Sequence, residues 1–286
     1  MGSSHSSSSS RHRRPHTRRG LIRCHRRFPS VFSAHRRDVL VYLPPGYRQG
    51  RERRYPVLYF QDGQNVFDAA TAFAGVEWEV DETSERLVRA GSMAPTIVVA
   101  VANTPDRVAE YTPVPDPMRG GIGGGAETYA RFLIQELKPF IDARYRTLAG
   151  PEWTGIAGSS LGGLAALYLG WAHPGTFTRL GLVSPSVSWA DQSILRFVRR
   201  MPRPPARIWL DIGTAEGSSP GMARQVVSSV RALRRVMLTQ GFVLGQDLAY
   251  HEVQGAGHHE AAWAARVEPM LRFLFPPSSG LKSARC

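Results

Sequence analysis

A serine becomes a working nucleophile where the backbone turns sharply enough to expose its hydroxyl and where a base can take the proton. The segment Gly158-Ser-Ser160-Leu-Gly162 supplies the turn. It follows the apolar run Trp153-Thr-Gly-Ile-Ala157 and leads into Gly163-Leu-Ala-Ala-Leu, which reads as strand, G-x-S-x-G corner and helix. Gly158 and Gly162 give the corner room, so Ser160 is the expected nucleophile. At a helix start its oxygen lies near the positive end of the helix dipole, and the Leu161 N–H is aimed where an oxyanion would develop. Gly163, Ala165 and Ala166 are small enough for that helix to pack closely on a sheet. The competing reading is a glycine-rich turn with ordinary serines.

The base must be a histidine, and outside the first 37 residues there are four: His173, His251, His258 and His259. His173 ends the helix after Ser160, and His251 falls inside a strand. His258 and His259 follow a strand in Val253-Gln-Gly-Ala-Gly257-His-His-Glu260, and His258 is the expected base, with His259 opening the last helix. His259-Glu260-Ala-Ala-Trp263 puts tryptophan where H-E-x-x-H needs its second histidine, so a zinc protease is excluded. For the acid that orients the base, Ile208-Trp-Leu-Asp211-Ile-Gly213 runs into Thr214-Ala-Glu216-Gly217. Glu216, in the loop past the strand, is favoured; Asp211 stays open as the alternative and otherwise needs a buried hydrogen-bonding role. A second oxyanion donor is expected from Asp62-Gly63-Gln64-Asn65, where Gln64 N–H is the candidate and Asp62 and Asn65 shape the turn.

These residues need a scaffold, and the rest of the chain reads as one. Short β-branched runs at Asp38–Leu43, Val57–Gln61, Thr96–Val101, Trp153–Ala157, Arg179–Ser184, Arg207–Ile212 and Leu248–Val253 predict strands, mostly of the continuous apolar kind that a parallel sheet buries. Between them, Glu77–Ala90, Glu127–Tyr145, Ser160–Ala172, Met222–Gln240 and Glu260–Phe275 carry helical spacing. The fold class is therefore α/β. Thr112–Gly125, rich in Pro and Gly, is expected to be a mobile surface loop without regular structure. Its Gly121-x-Gly123-x-x-Ala126 lacks the preceding strand of a dinucleotide site, and no G-x-x-x-x-G-K-[ST] occurs.

The chain has 286 residues and a net charge of +13. Residues 1–37 hold ten arginines and no acid, which leaves 26 basic against 23 acidic side chains, a balance of +3, for the other 249. The expected organisation is a basic Ser/Arg-rich disordered tail over 1–30, one domain over 31–276 and a C-terminal tail over 277–286. Nucleic acid is not the expected partner, since the basic excess is confined to the tail. No run of 18 apolar residues predicts a membrane span, and no apolar stretch follows the basic start as export would require, so the expected compartment is the cytoplasm. Cys24 and Cys286 read as incidental thiols.

Taken together, Tyr42-Leu-Pro-Pro-Gly-Tyr47, Tyr55-Pro-Val-Leu-Tyr-Phe-Gln-Asp-Gly-Gln-Asn65, Ala109-Glu-Tyr-Thr-Pro113, the Gly158–Gly163 corner, Ser184-Pro-Ser186, Gly213-Thr-Ala-Glu216 and Gly255-Ala-Gly-His258 give the chain a resemblance. From about residue 31 to 275 it resembles the esterase family of α/β-hydrolases that includes enterochelin esterases, S-formylglutathione hydrolase, feruloyl esterases and mycolyltransferases. The resemblance implies an α/β-hydrolase fold, a mostly parallel twisted sheet with helices on both faces. It also implies a serine ester hydrolase using Ser160, Glu216 and His258, with the Leu161 and Gln64 amides as oxyanion donors and no metal or cofactor. Members differ in the carboxylate that completes the triad. Trp78, Arg107, Glu110, Tyr111 and Trp189 are candidates for the substrate pocket, and the expected substrate is a small acyl or siderophore-type ester. An acyltransferase using the same residues, or a catalytically silent basic-tail binding protein, are the alternatives.

Overall fold

The strand β3 (Val57–Phe60) shows in four residues how the chain is layered: all four are buried, with Val57 and Tyr59 facing one apolar cluster and Leu58 and Phe60 the other. A strand with both faces covered needs no polar alternation, which is why its sequence is a continuous apolar run. In the computed structural model, which describes residues 16–277, β3 lies inside an eight-stranded sheet. The others are β1 (Leu21–Phe28), β2 (Arg37–Leu43), β4 (Ile97–Val101), β7 (Thr154–Ser159), β8 (Arg179–Val183), β9 (Arg207–Gly213) and β10 (Leu248–Val253), in the order β1-β2-β4-β3-β7-β8-β9-β10. The pairs β1·β2 and β2·β4 are antiparallel and the rest parallel. Two-residue strands β5 (Pro115–Asp116) and β6 (Ile122–Gly123) form a separate small hairpin.

Parallel neighbours require crossovers, and helices supply them. The chain order is α1 (Val80–Arg89), α2 (Arg107–Glu110), α3 (Ala126–Arg131), a π-helical stretch Phe132–Leu137, α4 (Lys138–Arg144), α5 (Leu161–Ala172), α6 (Trp189–Arg200), α7 (Pro220–Thr239), α8 (Glu260–Ala264) and α9 (Val267–Leu274). Leu87, Trp263 and Met270, from α1, α8 and α9, pack on the Leu58 face; Leu133, Leu164, Ile194 and Val230 pack on the Tyr59 face. The sheet thus has helices on both sides, the α/β-hydrolase arrangement expected. Helix α5 is buried nearly all round because its small residues let it approach: a Cβ on Gly170 would sit 2.3 Å from Leu180 Cδ1, and one on Gly163 3.1 Å from Gly158 O.

Three expectations need correction. The tail does not extend over 1–30, because Leu21–Phe28 is the edge strand β1, paired from Leu21↔Leu43 to Phe28↔Arg37. Its residues read as charged because one face is open to water, and arginines on an edge also oppose further strand pairing. Thr17 and the Arg19 amide already bind Glu77 and Asp81, so residues 16–20 are placed too; the disorder expected for 1–15 and the end of the C-terminal tail lie outside the described residues. The Thr112–Gly125 segment is not without structure: it carries the β5–β6 hairpin, Asp116 is buried, and Trp189 Nε1 donates to Val114 O at 2.8 Å. Finally, α6 was not anticipated. Its entry is irregular, with Ala190, Asp191 and Gln192 at positive φ, and Trp189, Ala190, Ile194, Leu195 and Val198 face the core.

Candidate active site

The corner between β7 and α5 forces Ser160 to φ 55° and ψ −121°, a conformation costly for a residue with a side chain. The neighbourhood holds it there. Ser160 N–H donates to Val183 O at 3.1 Å, and its carbonyl accepts from Leu164 and Ser186 amides at 3.0 Å each. A Cβ at Gly158 would meet Gln61 Cβ and Gly162 C at 2.8 Å, so the corner closes only with glycine at that position. The hydroxyl is thereby lifted off the sheet.

Two loops at the carboxyl ends of β9 and β10 meet it. Ser160 Oγ lies 3.0 Å from His258 Nε2, and His258 Nδ1 lies 2.8 Å from Glu216 Oε2. Glu216 is 1% exposed, whereas the His258 side chain is 39% exposed and so opens the site to solvent. The other carboxylate oxygen, Oε1, accepts from the Gly213 amide at 2.7 Å and from the Ser184 hydroxyl, with Arg266 Nη2 3.5 Å away. Trp263 sets the imidazole from the side, edge to face at 4.8 Å between ring centres. His259 caps α8, its Nδ1 accepting from the Ala262 amide at 3.3 Å.

Asp211 is elsewhere. Completely buried, it binds Arg266 Nη1 at 2.7 Å, Trp209 Nε1 at 2.6 Å and the Ser184 amide at 3.1 Å, and it does not touch the imidazole. Burial pushes its carboxyl above the ordinary value, against the pull of Arg266.

Across from the corner, Asp62 to Asn65 form a single 3₁₀ turn, Gly63–Asn65. The first hydrogen bond of this turn is Asn65 N–H to Asp62 C=O at 2.9 Å, which leaves the Gly63 and Gln64 amides without an acceptor in the turn. The Asp62 amide is not available, since it donates to the Tyr111 hydroxyl at 3.1 Å. The Leu161 amide, first in α5, is likewise outside the helix's own hydrogen bonding. The turn abuts the corner: a Cβ on Gly162 would lie 3.4 Å from Asp62 Oδ2.

Beside His258 opens a cavity of about 220 Å³ bordered by Ser186, Val187, Gly217, Val226 and Ser229. The larger cleft, about 1060 Å³ along β1, shares no lining residue with it. The residues expected in the pocket do other work. Trp78 is buried in the core against Phe60 and Trp263. Arg107 forks onto Asp62 with both contacts at 2.7 Å, so it braces the 3₁₀ turn, while Glu110 binds Arg37. Tyr111 braces the same turn. Trp189 holds the β5–β6 hairpin. Sequence reasoning missed Ser184, Ser186 and Arg266 as individual residues. Ser186 Oγ is 3.2 Å from Ser160 Oγ. The only available signal for Arg266 was a charge within the apolar stripe of Trp263, Val267 and Met270.

Fold and corner together define an α/β-hydrolase-fold protein. The chain belongs to the Putative esterase family, whose description matches residues 30–274, and family membership makes it an ester hydrolase by class. It is 24% identical over 251 residues to the uncharacterized protein YbbA of Bacillus subtilis strain 168, covering 86% of this chain and 95% of that one. It is 29% identical over 157 residues to the ferri-bacillibactin esterase BesA of the same organism, covering 50% of this chain and 51% of the relative. Against the endo-1,4-beta-xylanase/feruloyl esterase of Xylanibacter ruminicola it is 26% identical, covering 82% of this chain and 29% of the relative. The chain therefore spans about half of the ferri-bacillibactin esterase and under a third of the xylanase/feruloyl esterase. Among solved structures, the BES protein from Bacillus cereus superposes with a TM-score of 0.69 at 20% identity, covering 96% and 99% of the two chains. The enterobactin esterase FES from Shigella flexneri gives 0.70 at 18% identity, covering 90% of this chain and 60% of that one. These likenesses support the fold.

Proposed function

We propose that this protein is a serine carboxylic-ester hydrolase that works through an acyl-enzyme on a small acyl or siderophore-type ester. The observation that carries the reading is the unbroken chain of contacts from Ser160 Oγ to His258 at 3.0 Å and on to Glu216 at 2.8 Å. In this mechanism Ser160 Oγ attacks the ester carbonyl carbon while its proton passes to His258 Nε2. Glu216 keeps the other ring nitrogen protonated and stabilises the imidazolium. The oxyanion formed from the carbonyl oxygen takes hydrogen bonds from the Leu161 and Gln64 amides, each worth about 3–4 kcal/mol in comparable enzymes. His258 returns the proton to the departing alkoxide, and water repeats the sequence on the acyl-serine. The cavity beside His258 is the assigned acyl site, and the names of the siderophore and feruloyl esterase relatives support the substrate class. Among the described residues no helix is long and apolar enough to cross a membrane. A cytoplasmic setting is part of the proposal, and the exposed free thiol of Cys24 is compatible with a reducing compartment.

The test is labelling with a fluorophosphonate probe. The wild-type chain should label and Ser160→Ala should not; labelling that persists in the variant refutes the nucleophile. Turnover of p-nitrophenyl esters of increasing chain length, and of a siderophore lactone, then ranks the acyl group. A product ester in place of free acid, when a competing alcohol is present, would replace hydrolysis by acyl transfer.

A further inference from the structure

Away from Ser160, the start of α1 gathers three carboxylates. Glu77, Asp81 and Glu82 each bring an oxygen within 4.8 Å of the others. Acids in the first turn of a helix are ordinary where water reaches them. Here water does not: Asp81 is 0% exposed and Glu77 8%. One oxygen of each is already used or free in a definite way. Glu77 Oε1 accepts from the Thr17 hydroxyl and Asp81 Oδ2 from the Arg19 amide at 2.6 Å, whereas Glu77 Oε2, Asp81 Oδ1 and Glu82 Oε2 are buried with no hydrogen-bond partner.

Three arginines on neighbouring segments are committed to other acids. Arg18 pairs with Asp68 at 2.6 Å, Arg89 with Glu85 at 2.9 Å and Arg86 with Glu268 at 2.8 Å. Among the described residues no ion pair within 4.0 Å involves Glu77, Asp81 or Glu82. Three adjacent carboxylates, two of them buried, carry an uncompensated charge that a buried site tolerates only by taking up protons or a cation.

We propose that Glu77, Asp81 and Glu82 form a binding site for one divalent cation, of the calcium type. All candidate donors are hard carboxylate oxygens. Calcium takes oxygen ligands in flexible, irregular sets, whereas magnesium demands a near-ideal octahedron and keeps most of its waters, so a buried three-carboxylate set suits calcium. The Thr17 hydroxyl stands at the rim, so the cation would also fix the chain entering β1. Its place is structural and apart from the reaction. Trp78 N–H binds Asn65 O at 2.9 Å and Val80 N–H binds Val66 O at 3.2 Å, so the site braces the start of α1 against the Asp62–Asn65 turn.

Terbium, a luminescent calcium substitute, tests this on the full-length chain after exhaustive dialysis against chelator. Trp78 adjoins Glu77, so excitation of tryptophan should sensitise saturable terbium emission at one site per chain. Calcium should displace it and magnesium at equal concentration should not. Calcium at about 1 mM should raise the melting temperature by roughly 5–10 °C. Asp81→Asn should remove both effects with far-ultraviolet circular dichroism unchanged, and Glu82→Gln, at the less buried carboxylate, should weaken them if Asp81→Asn does not fold. The proposal is overturned if no saturable emission or calcium-dependent melting shift occurs, if calcium fails to displace terbium, or if the folded variants bind as the wild type does.

Discussion

Glu216 turns its two carboxylate oxygens to different tasks: Oε2 faces His258 Nδ1 at 2.8 Å, while Oε1 is pinned by the Gly213 amide at 2.7 Å and by the Ser184 hydroxyl. The second set fixes the first, because a carboxylate held at one oxygen by backbone cannot swing its other oxygen off the imidazole. Replacing the acceptor by an amide should therefore leave the fold intact and spoil the proton relay. In Glu216→Gln the amide can donate to Nδ1, which favours the ring tautomer that carries its proton toward Ser160. The expected result is a fall in kcat of roughly 10²–10⁴-fold with KM within a few fold. Steady-state kinetics on a p-nitrophenyl ester checks it; an unchanged kcat removes Glu216 from the reaction.

Behind that carboxylate lies a buried ion pair. Arg266 is 3% exposed and reaches Asp211 at 2.7 Å, the Ser184 hydroxyl at 2.8 Å and Glu216 Oε1 at 3.5 Å. Arg266→Met strands Asp211 among apolar groups, and the loss should be about 3–5 kcal/mol of unfolding free energy. Adding Asp211→Asn should recover part of it, since the double variant no longer buries a lone charge. Urea unfolding of the two single variants and the double variant gives the coupling; additive losses would contradict the pairing.

What could be read in the sequence follows from where each signal resides. Ser160 and His258 were legible because strand, glycines and helix are local patterns, and their meeting follows from strands that share one carboxyl edge. Strand β10, Leu248–Val253, was placed residue for residue, because its boundaries are set by its own side chains. Strand β1 was not legible: Arg23, Arg26 and Arg27 are exposed on an edge strand, and an edge strand owes its existence to the partner β2. Trp78 and Arg107 were misjudged for a related reason. A tryptophan or arginine beside a strand end is compatible with pocket or core, and only the tertiary partners Trp263 and Asp62 decide which. Glu216 could be preferred over Asp211 from its loop position, but the role of Asp211 awaited Arg266, 55 residues away in sequence.

The 3₁₀ turn that carries Gln64 depends on Gly63. A Cβ there would lie 2.5 Å from the backbone of Ala100 and Val101 in β4, and backbone does not step aside. Gly63→Ala should push the turn away from the Ser160 corner and misplace the Gln64 amide. We expect kcat to drop by roughly 10²-fold, comparable to losing an oxyanion donor, while fluorophosphonate labelling slows and KM changes little. Full activity in a folded Gly63→Ala protein would place the second donor elsewhere.

Acid should loosen the frame that carries the relay. Glu252 of β10 binds Arg231 of α7 at 2.8 and 2.6 Å, joining the elements that flank the Glu216 and His258 loops. Chiefly through the Arg231 hydrogen bonds, the Glu252 carboxyl is held down to about 2, against an ordinary 4.5. A depressed carboxyl contributes stability that is fully present above its unfolded value, and this is lost as the pH falls from 4.5 toward 2. The wild type should therefore lose more stability over that interval than Glu252→Gln. Added salt should shrink the difference, because Arg231 is exposed. Melting curves at pH 5, 4, 3 and 2 check this, and parallel curves for the two proteins would contradict it.

The basic start of the chain separates an enzyme from a polyanion binder, provided the cut respects β1. Removing residues 1–15 takes away Arg11, Arg13 and Arg14 but no described contact, and the ester-hydrolase reading expects kcat and KM to stay within a factor of about two. Removing residues 1–28 is a different experiment. It strips β1 from β2, removes the packing of the half-buried Leu21 and Phe28 against the core, and turns the apolar β2 into the sheet edge. That protein should melt lower and aggregate sooner, yet retain turnover per folded molecule, because the reacting groups stand at β7, β9 and β10 on the other side of the sheet order. Salt-sensitive binding to nucleic acid that disappears with residues 1–15, in a chain with no esterase turnover, would favour the binding protein instead.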